Sequence, residues 1–346
     1  MIKISHIRDH CLLLIICILC SGCLPSSCRR IEPQTISPSD SLSRSIASSI
    51  VADTLSEPLI LGLSSLKYPR TVLYGQSNHL FVSDTKTGDI LIFAFNGETE
   101  HSFRVQGINF PYLAGWHSDT LIVFDPETHQ FHSVIDSLSV DSVTITNVPQ
   151  NSLQYALAHN SHLYHKAVTR DSIHLLRRFD RSGTLTHELT LHGSSWKHAG
   201  LLRSVENRLI SLSGFYPQAL SWTLDLSLKP DTLRWKGFDS PMLKRTYAFD
   251  QGHGRGAPLI TSSATWTGDY WFVLNQRAGW LRVDIYNSDG MLKYILTEHS
   301  PTYLRNFYPI DLAVKYIQDG SYQIAVAILA PQPSIHVYHW TPTHSI

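Results

Sequence analysis

The chain has 346 residues, of which 43% are hydrophobic, with 28 basic, 28 acidic and 19 histidine side chains. It carries no formal net charge and no Lys/Arg run longer than two residues. This excludes the basic face that a nucleic-acid binder needs, and we expect no nucleic-acid partner.

The first segment in chain order is MIKISHIRDH, with Lys3 and Arg8, followed by the ten-residue apolar run CLLLIICILC and then Ser21-Gly22-Cys23. A weakly basic start, a short apolar core and small residues before a cleavage point describe a secretory signal. The apolar run is about half the ~20 residues of a spanning helix. Ser-Gly-Cys resembles a bacterial lipobox, with Cys20 standing where Leu is usual and Leu19 one place earlier. The resemblance implies a signal peptide over residues 1–22, acylation of Cys23, a membrane partner through that lipid, and location at the outer membrane of the cell envelope. The alternative is a plain cleaved signal. All five cysteines fall between Cys11 and Cys28, so no disulfide or Cys-type zinc site is expected in the folded part. Removing residues 1–22 takes away Lys3, Arg8 and Asp9, leaving 26 basic against 27 acidic side chains.

Residues 23–56 are rich in Ser, Pro, Asp and Thr, and cannot bury enough apolar surface to offset their ordering entropy. We read them as a flexible tether, with a short helix possible within ISPSDSLSRSIASSIV, and place the folded domain at 57–346.

From residue 58 onward, short runs rich in Val, Ile, Leu, Phe, Tyr and Trp alternate with Gly, Asn, Asp and Ser turns, which is the strand-and-hairpin signal. The first unit reads RTVLYG, HLFVSD, DILIFAF and HSFRVQG, separated by turns at Gln76–Asn78, Thr85–Gly88 and Asn96–Thr99. The second centres on TLIVFDPETHQFHSVI. The third begins at HLYHKAV and continues IHLLRRFDRSGTLTHELTLHG. The fourth has RLISLSG and LSWTLDLSLKPDTLRWKG. The fifth has APLITSSAT, DYWFVLN and GWLRVDIYNSDGMLKYILTEH. The sixth is NFYPIDLAVKYIQDGSYQIAVAILAPQPSIHVYHW. One cadence recurs: an apolar–aromatic run ends in a tight turn at Asn96-Gly97, Ser182-Gly183 or Asp289-Gly290, where Gly permits positive φ.

Six units over residues 58–341 average about 47 residues, near the ~40–50 of four-stranded propeller blades. Radial repetition also removes the exposed edges that so many antiparallel strands would otherwise leave. The expected fold is all-β, a six-bladed β-propeller of four-stranded antiparallel blades. EPLILGL (57–63) is expected to close the ring on SIHVYHW, the last strand. A seventh blade would have to come from PMLKRTYAFDQGHGRGA (241–257), which offers no strand pair and reads as a loop. Two sandwiches would need a central linker that is absent.

The units at 68–107 and 270–297 resemble NHL-type and TolB-like repeats, on Leu80-Phe81-Val82-Ser83-Asp84 and Ile90-Leu91-Ile92-Phe93. With the lipobox, the chain resembles the six-bladed propeller lipoproteins of Bacteroidota. That implies fold and export, and little chemistry, because propellers host many functions.

Propellers bind or react where interblade loops converge on one end of the channel. The loops expected there are 108–117, 192–200, 240–258 and 298–309, rich in Arg, His, Trp and Tyr. The candidate ligand-binding residues are Tyr68, Arg70, Tyr112, Trp116, Trp196, Arg245, His253, Arg255, Tyr308 and Asp311. Lys244, Arg245, His253 and Arg255, among three glycines, suggest an anion clamp; the plainer alternative is a solvated loop. Phe93, Trp222, Trp271, Tyr286 and Tyr338 are expected in the core. His192, His198 and His253 could converge only through the fold. Lactonase-type propellers hold calcium with Glu, Asn and Asp on inner strands, and Asp84, Asp125 and Asp311 do not complete such a set; Asp84 reads as a turn residue. No nucleophile elbow is present. We therefore expect no catalytic residue, metal or cofactor, and a module that binds or scaffolds an envelope protein, glycan or peptide. The alternative is a metal-dependent hydrolase, lyase or lactonase acting on a sugar-like substrate in the channel.

Overall fold

The computed structural model describes residues 49–75, 79–94, 99–171 and 173–343. The expected signal peptide, Cys23, most of the expected tether and the turns expected at 76–78 and 96–97 lie outside the described residues. Six antiparallel sheets are each ordered from an inner to an outer strand. The inner strands are Pro69–Tyr74, Tyr112–His117, Leu153–His159, Leu202–Val205, Thr261–Thr267 and Tyr308–Tyr316. They define blades 1 to 6. All run in one sense around the channel, so their first residues share one end, the mouth, and their last residues share the opposite end.

The expected ring closure holds. Leu59–Leu61 pairs antiparallel with Ser334–Trp340 as the outer strand of blade 6. Each blade is covered on both faces by its neighbours, so the middle strands are continuous apolar runs rather than alternating ones. Tyr270–Asn275 and Thr120–Asp125 are buried along nearly their whole length. Phe93, Trp222, Trp271, Tyr286 and Tyr338 all lie in this core, as expected. The hairpin turns expected at Gly183 and Gly290 are present, with φ of 82° and 73°.

Four expectations need correction. The ordered part starts before residue 57: Val51–Leu55 forms a fifth strand, parallel to Leu292–Glu298 on the outside of blade 5. Edge pairing uses backbone N–H and C=O groups, which a Ser/Asp-rich segment supplies as well as any other. This strand also crosses to blade 6, where the Trp340 indole donates to Asp53 at 3.0 Å and Ser56 exchanges hydrogen bonds with His339. Second, residues 112–117 are a strand and not a loop. Third, blades 3 and 4 begin earlier than read, at Leu153 and Leu202. Fourth, the 240–258 segment contains a helix, Leu243–Asp250, between blades 4 and 5; no seventh blade forms. No helix among the described residues is long and apolar enough to cross a membrane.

Candidate functional site at the channel mouth

The floor of the mouth is a polar network between inner strands. Asp311 on blade 6 is 2% exposed. Its Oδ1 accepts from the Arg203 guanidinium of blade 4 at 2.8 Å and from Ser263 Oγ of blade 5 at 2.6 Å. Its Oδ2 accepts from the Val72 amide of blade 1 at 3.0 Å. Arg203 also donates to Ser263 Oγ and to the Ala264 carbonyl, both at 3.0 Å. One carboxylate thus ties four blades together, and the ion pair is satisfied by hydrogen bonds on both sides, as burial demands. On the other side of the ring, the Leu113 amide donates to Thr71 Oγ1 at 2.9 Å, joining blades 1 and 2.

Above this floor stand four tyrosines and one arginine. Tyr112, the first residue of its strand, is 5% exposed and sits beside Arg203 without a well-formed hydrogen bond to its hydroxyl. Burial raises its pKa, partly opposed by Arg203 and Arg70. Tyr155 is buried next to it and its pKa is pushed up to about 12, again by burial, with Arg70 opposing. Tyr308 and Tyr68 are partly exposed at the rim, and burial raises the Tyr308 pKa, with Tyr68 and Arg70 as its charged or ionisable neighbours. Arg70 is therefore the common neighbour of Tyr112, Tyr155 and Tyr308. It is exposed and forms no ion pair among the described residues. An exposed guanidinium with open donors, close enough to these tyrosines to affect their ionisation, suits a planar anion such as a carboxylate.

The rim is held from behind. Asp84, at the end of its strand, accepts from the Lys67 and Tyr68 amides through Oδ2 and from the Lys86 and Thr87 amides through Oδ1. Asp125 does the same for Asn109 and Glu127 in blade 2. Both are turn residues, as the sequence reading had it for Asp84. Lys166 stands behind Tyr155, fully buried, 4.7 Å over its ring; its ammonium donates to the His198 carbonyl at 2.8 Å and Ser211 Oγ at 2.7 Å. Desolvation lowers the Lys166 pKa well below the usual lysine value.

Of the ten candidate residues, the fold gathers Tyr68, Arg70, Tyr112, Tyr308 and Asp311. It does not bring the other five to them. Trp116 lies at the opposite end, its indole donating to the Tyr74 carbonyl at 2.9 Å and its ring edge-on to Phe81. Trp196 packs on Tyr216 and Phe249, and Lys197 caps that cluster while pairing with Asp250 at 2.7 Å. Arg245 is on the exposed side of the 243–250 helix, and His253 and Arg255 follow it, also exposed. Like Arg70, these cations form no ion pair among the described residues, but they stand on the segment between blades 4 and 5 rather than on an inner strand. His198 packs on His174, with ring centroids 4.9 Å apart, and not on His253. Among the described residues, no three His, Cys, Asp or Glu side chains are grouped to hold a metal. Tyr155 and Arg203 were missed because the inner strands of blades 3 and 4 were missed. The signal was there: LQYALAH and LLRSV stand directly before the turns that precede HLYHKAV and RLISL.

No protein-family model matches the chain, and no curated protein matches it in sequence. Solved structures of similar fold include a luciferin-regenerating enzyme (12% identity, 83% of this chain and 96% of that one, TM-score 0.53). A streptogramin B lyase covers 82% of this chain and 97% of its own at 10% identity, with a TM-score of 0.51. The virginiamycin B lyase of Staphylococcus aureus covers 84% and 89% at 10% identity, with a TM-score of 0.50. At these identities the likeness is one of fold: a six-bladed β-propeller.

Proposed function

We propose that the chain is a binding module of the cell envelope, lipid-anchored at Cys23, that takes a carboxylate-bearing ligand or peptide at the channel mouth. The observation that carries this reading is Arg70: an exposed guanidinium with no counter-ion among the described residues, shared by Tyr112, Tyr155 and Tyr308. The buried Tyr112 hydroxyl, without a well-formed hydrogen bond, is a second group that a ligand oxygen would satisfy. Calorimetric titration with short peptides carrying either a free or an amidated C-terminus tests the site. Free-acid peptides should bind and Arg70→Ala should abolish it; equal binding of both forms, or binding unaffected by Arg70→Ala, sinks the reading. Anchoring is tested separately: radiolabelled palmitate should enter the wild-type chain and not Cys23→Ser.

A second reading is a lyase or hydrolase working in the same channel. The enzymes of like fold support it, with Tyr112 beside Arg203 as the acid–base candidate. Turnover, rather than reversible binding, of a cyclic ester or lactone substrate, lost in Tyr112→Phe, would favour it.

A further inference from the structure

On the same face as the mouth, a separate pocket of about 230 Å³ lies between blades 5 and 6, where the N-terminal segment crosses the seam. That is somewhat below the ~300–1,000 Å³ of sites for drug-sized ligands, so its occupant is a smaller molecule. Its chemistry is distinctive. Glu57, Glu298, His299 and His336 line it, with hydroxyls from Ser56, Ser300 and Thr302, and no Lys or Arg contributes. Trp280, 36% exposed, forms an aromatic wall.

Two of the acceptors, Glu298 and His336, are fixed in place through Tyr338. The buried Tyr338 hydroxyl donates its one proton to Glu298 Oε1 at 2.6 Å. It then accepts from His336, whose Nδ1 is 3.1 Å away, so Nδ1 carries the proton and Nε2 is left as an acceptor. Burial lowers the His336 pKa to about 4, which keeps the ring neutral near pH 7. The walls are pinned as well. The Leu304 amide donates to the Gly279 carbonyl at 2.8 Å, and Trp280 meets Tyr303 edge-on at 6.3 Å. Gly279 has φ of 104°, and a Cβ there would fall 2.3 Å from the Tyr303 ring, so this close approach needs glycine.

Two carboxylates with no lining Lys or Arg disfavour an anion. Fixed carboxylate and imidazole acceptors reward a ligand that donates several hydrogen bonds. An aromatic wall beside them rewards one with an apolar C–H face. We propose that this interblade pocket is a second ligand site, for a neutral polyhydroxylated ring of the size of one sugar residue. It is independent of the channel mouth.

Saturation-transfer NMR and calorimetry on the propeller with glucose, galactose, mannose and N-acetylglucosamine, and with glucuronate and galacturonate as acidic counterparts, test it. At least one neutral sugar should bind, and each acid should bind more weakly than its parent sugar. Glu298→Gln and Trp280→Ala, one isosteric and one at a partly exposed position, should each weaken binding roughly tenfold, the loss of one charge-assisted contact or one packing wall. Arg70→Ala should leave it unchanged, which separates this site from the mouth. The proposal is overturned if no neutral sugar binds, if an acid binds as tightly as its parent, if both pocket variants bind normally, or if Arg70→Ala removes binding.

Discussion

Arg203 and Asp311 are 108 residues apart in sequence, on the inner strands of blades 4 and 6, and their side chains meet at 2.8 Å across the channel floor. Neither belongs to a local motif. Their contact exists because ring closure brings four inner strands within reach of one carboxylate, which also takes Ser263 Oγ and the Val72 amide.

That geometry makes Asp311 the most costly residue of the mouth to remove. Asp311→Ala leaves a guanidinium and a buried amide without their acceptor, and should cost about 3–5 kcal/mol. Asp311→Asn keeps the shape and one acceptor and should cost less. Urea unfolding followed by tryptophan fluorescence measures both; an alanine variant within 1 kcal/mol of wild type, roughly the average for any substitution, would contradict the tie between blades.

The parallel strand at Val51–Leu55 should be part of the folded unit. A chain beginning at Glu57 loses its pairing with Tyr294–Glu298 and the Asp53–Trp340 bond. Its melting temperature should fall by several degrees relative to a chain beginning at Val51, and amide exchange should accelerate in Leu292–Glu298 while blade 2 stays protected. Identical melting of the two chains would reduce the strand to an ornament.

Acid should destabilise the propeller before the carboxylates titrate. Burial lowers the pKa of His165 to about 3 and of His336 to about 4, from the ordinary 6.5. Because the unfolded chain binds protons that the folded one refuses, stability is full above pH ~6.5 and declines as pH falls toward the folded-state values. Each histidine contributes a slope of up to about 1.4 kcal/mol per pH unit in that window. His165→Gln should therefore flatten the dependence of unfolding free energy on pH between 6.5 and 4.5; an unchanged slope would mean that other groups control it.

Asp84 should matter for the mouth although it touches no proposed ligand. Its two oxygens accept from four backbone amides, including that of Tyr68. Asp84→Ala should cost about 1–3 kcal/mol, the cost of leaving part-buried amides without their acceptor, and Asp84→Asn should recover about half because one oxygen remains. Thermal unfolding of the pair decides this; equal losses would mean that volume rather than acceptance is what the site requires.

The part of this protein that was legible in the sequence is the part set by short-range rules. Strand runs and glycine turns such as Ser182-Gly183 depend on residues within a few positions, and their repetition gave six blades and the closing strand at Leu59–Leu61. Tyr68, Arg70, Tyr112, Tyr308 and Asp311 were legible for the same reason, since each stands just before or within the first four residues of an inner strand. Only the tertiary structure decided the rest. It sent Trp116 to the far end, because six residues of extended strand cross the ring, and it joined Arg203 to Asp311 and Tyr338 to Glu298 across blades. Such pairs depend on distances fixed by closing the ring, and the backbone pairing of Val51–Leu55 depends on an open sheet edge rather than on its own side chains. Local sequence carries neither quantity.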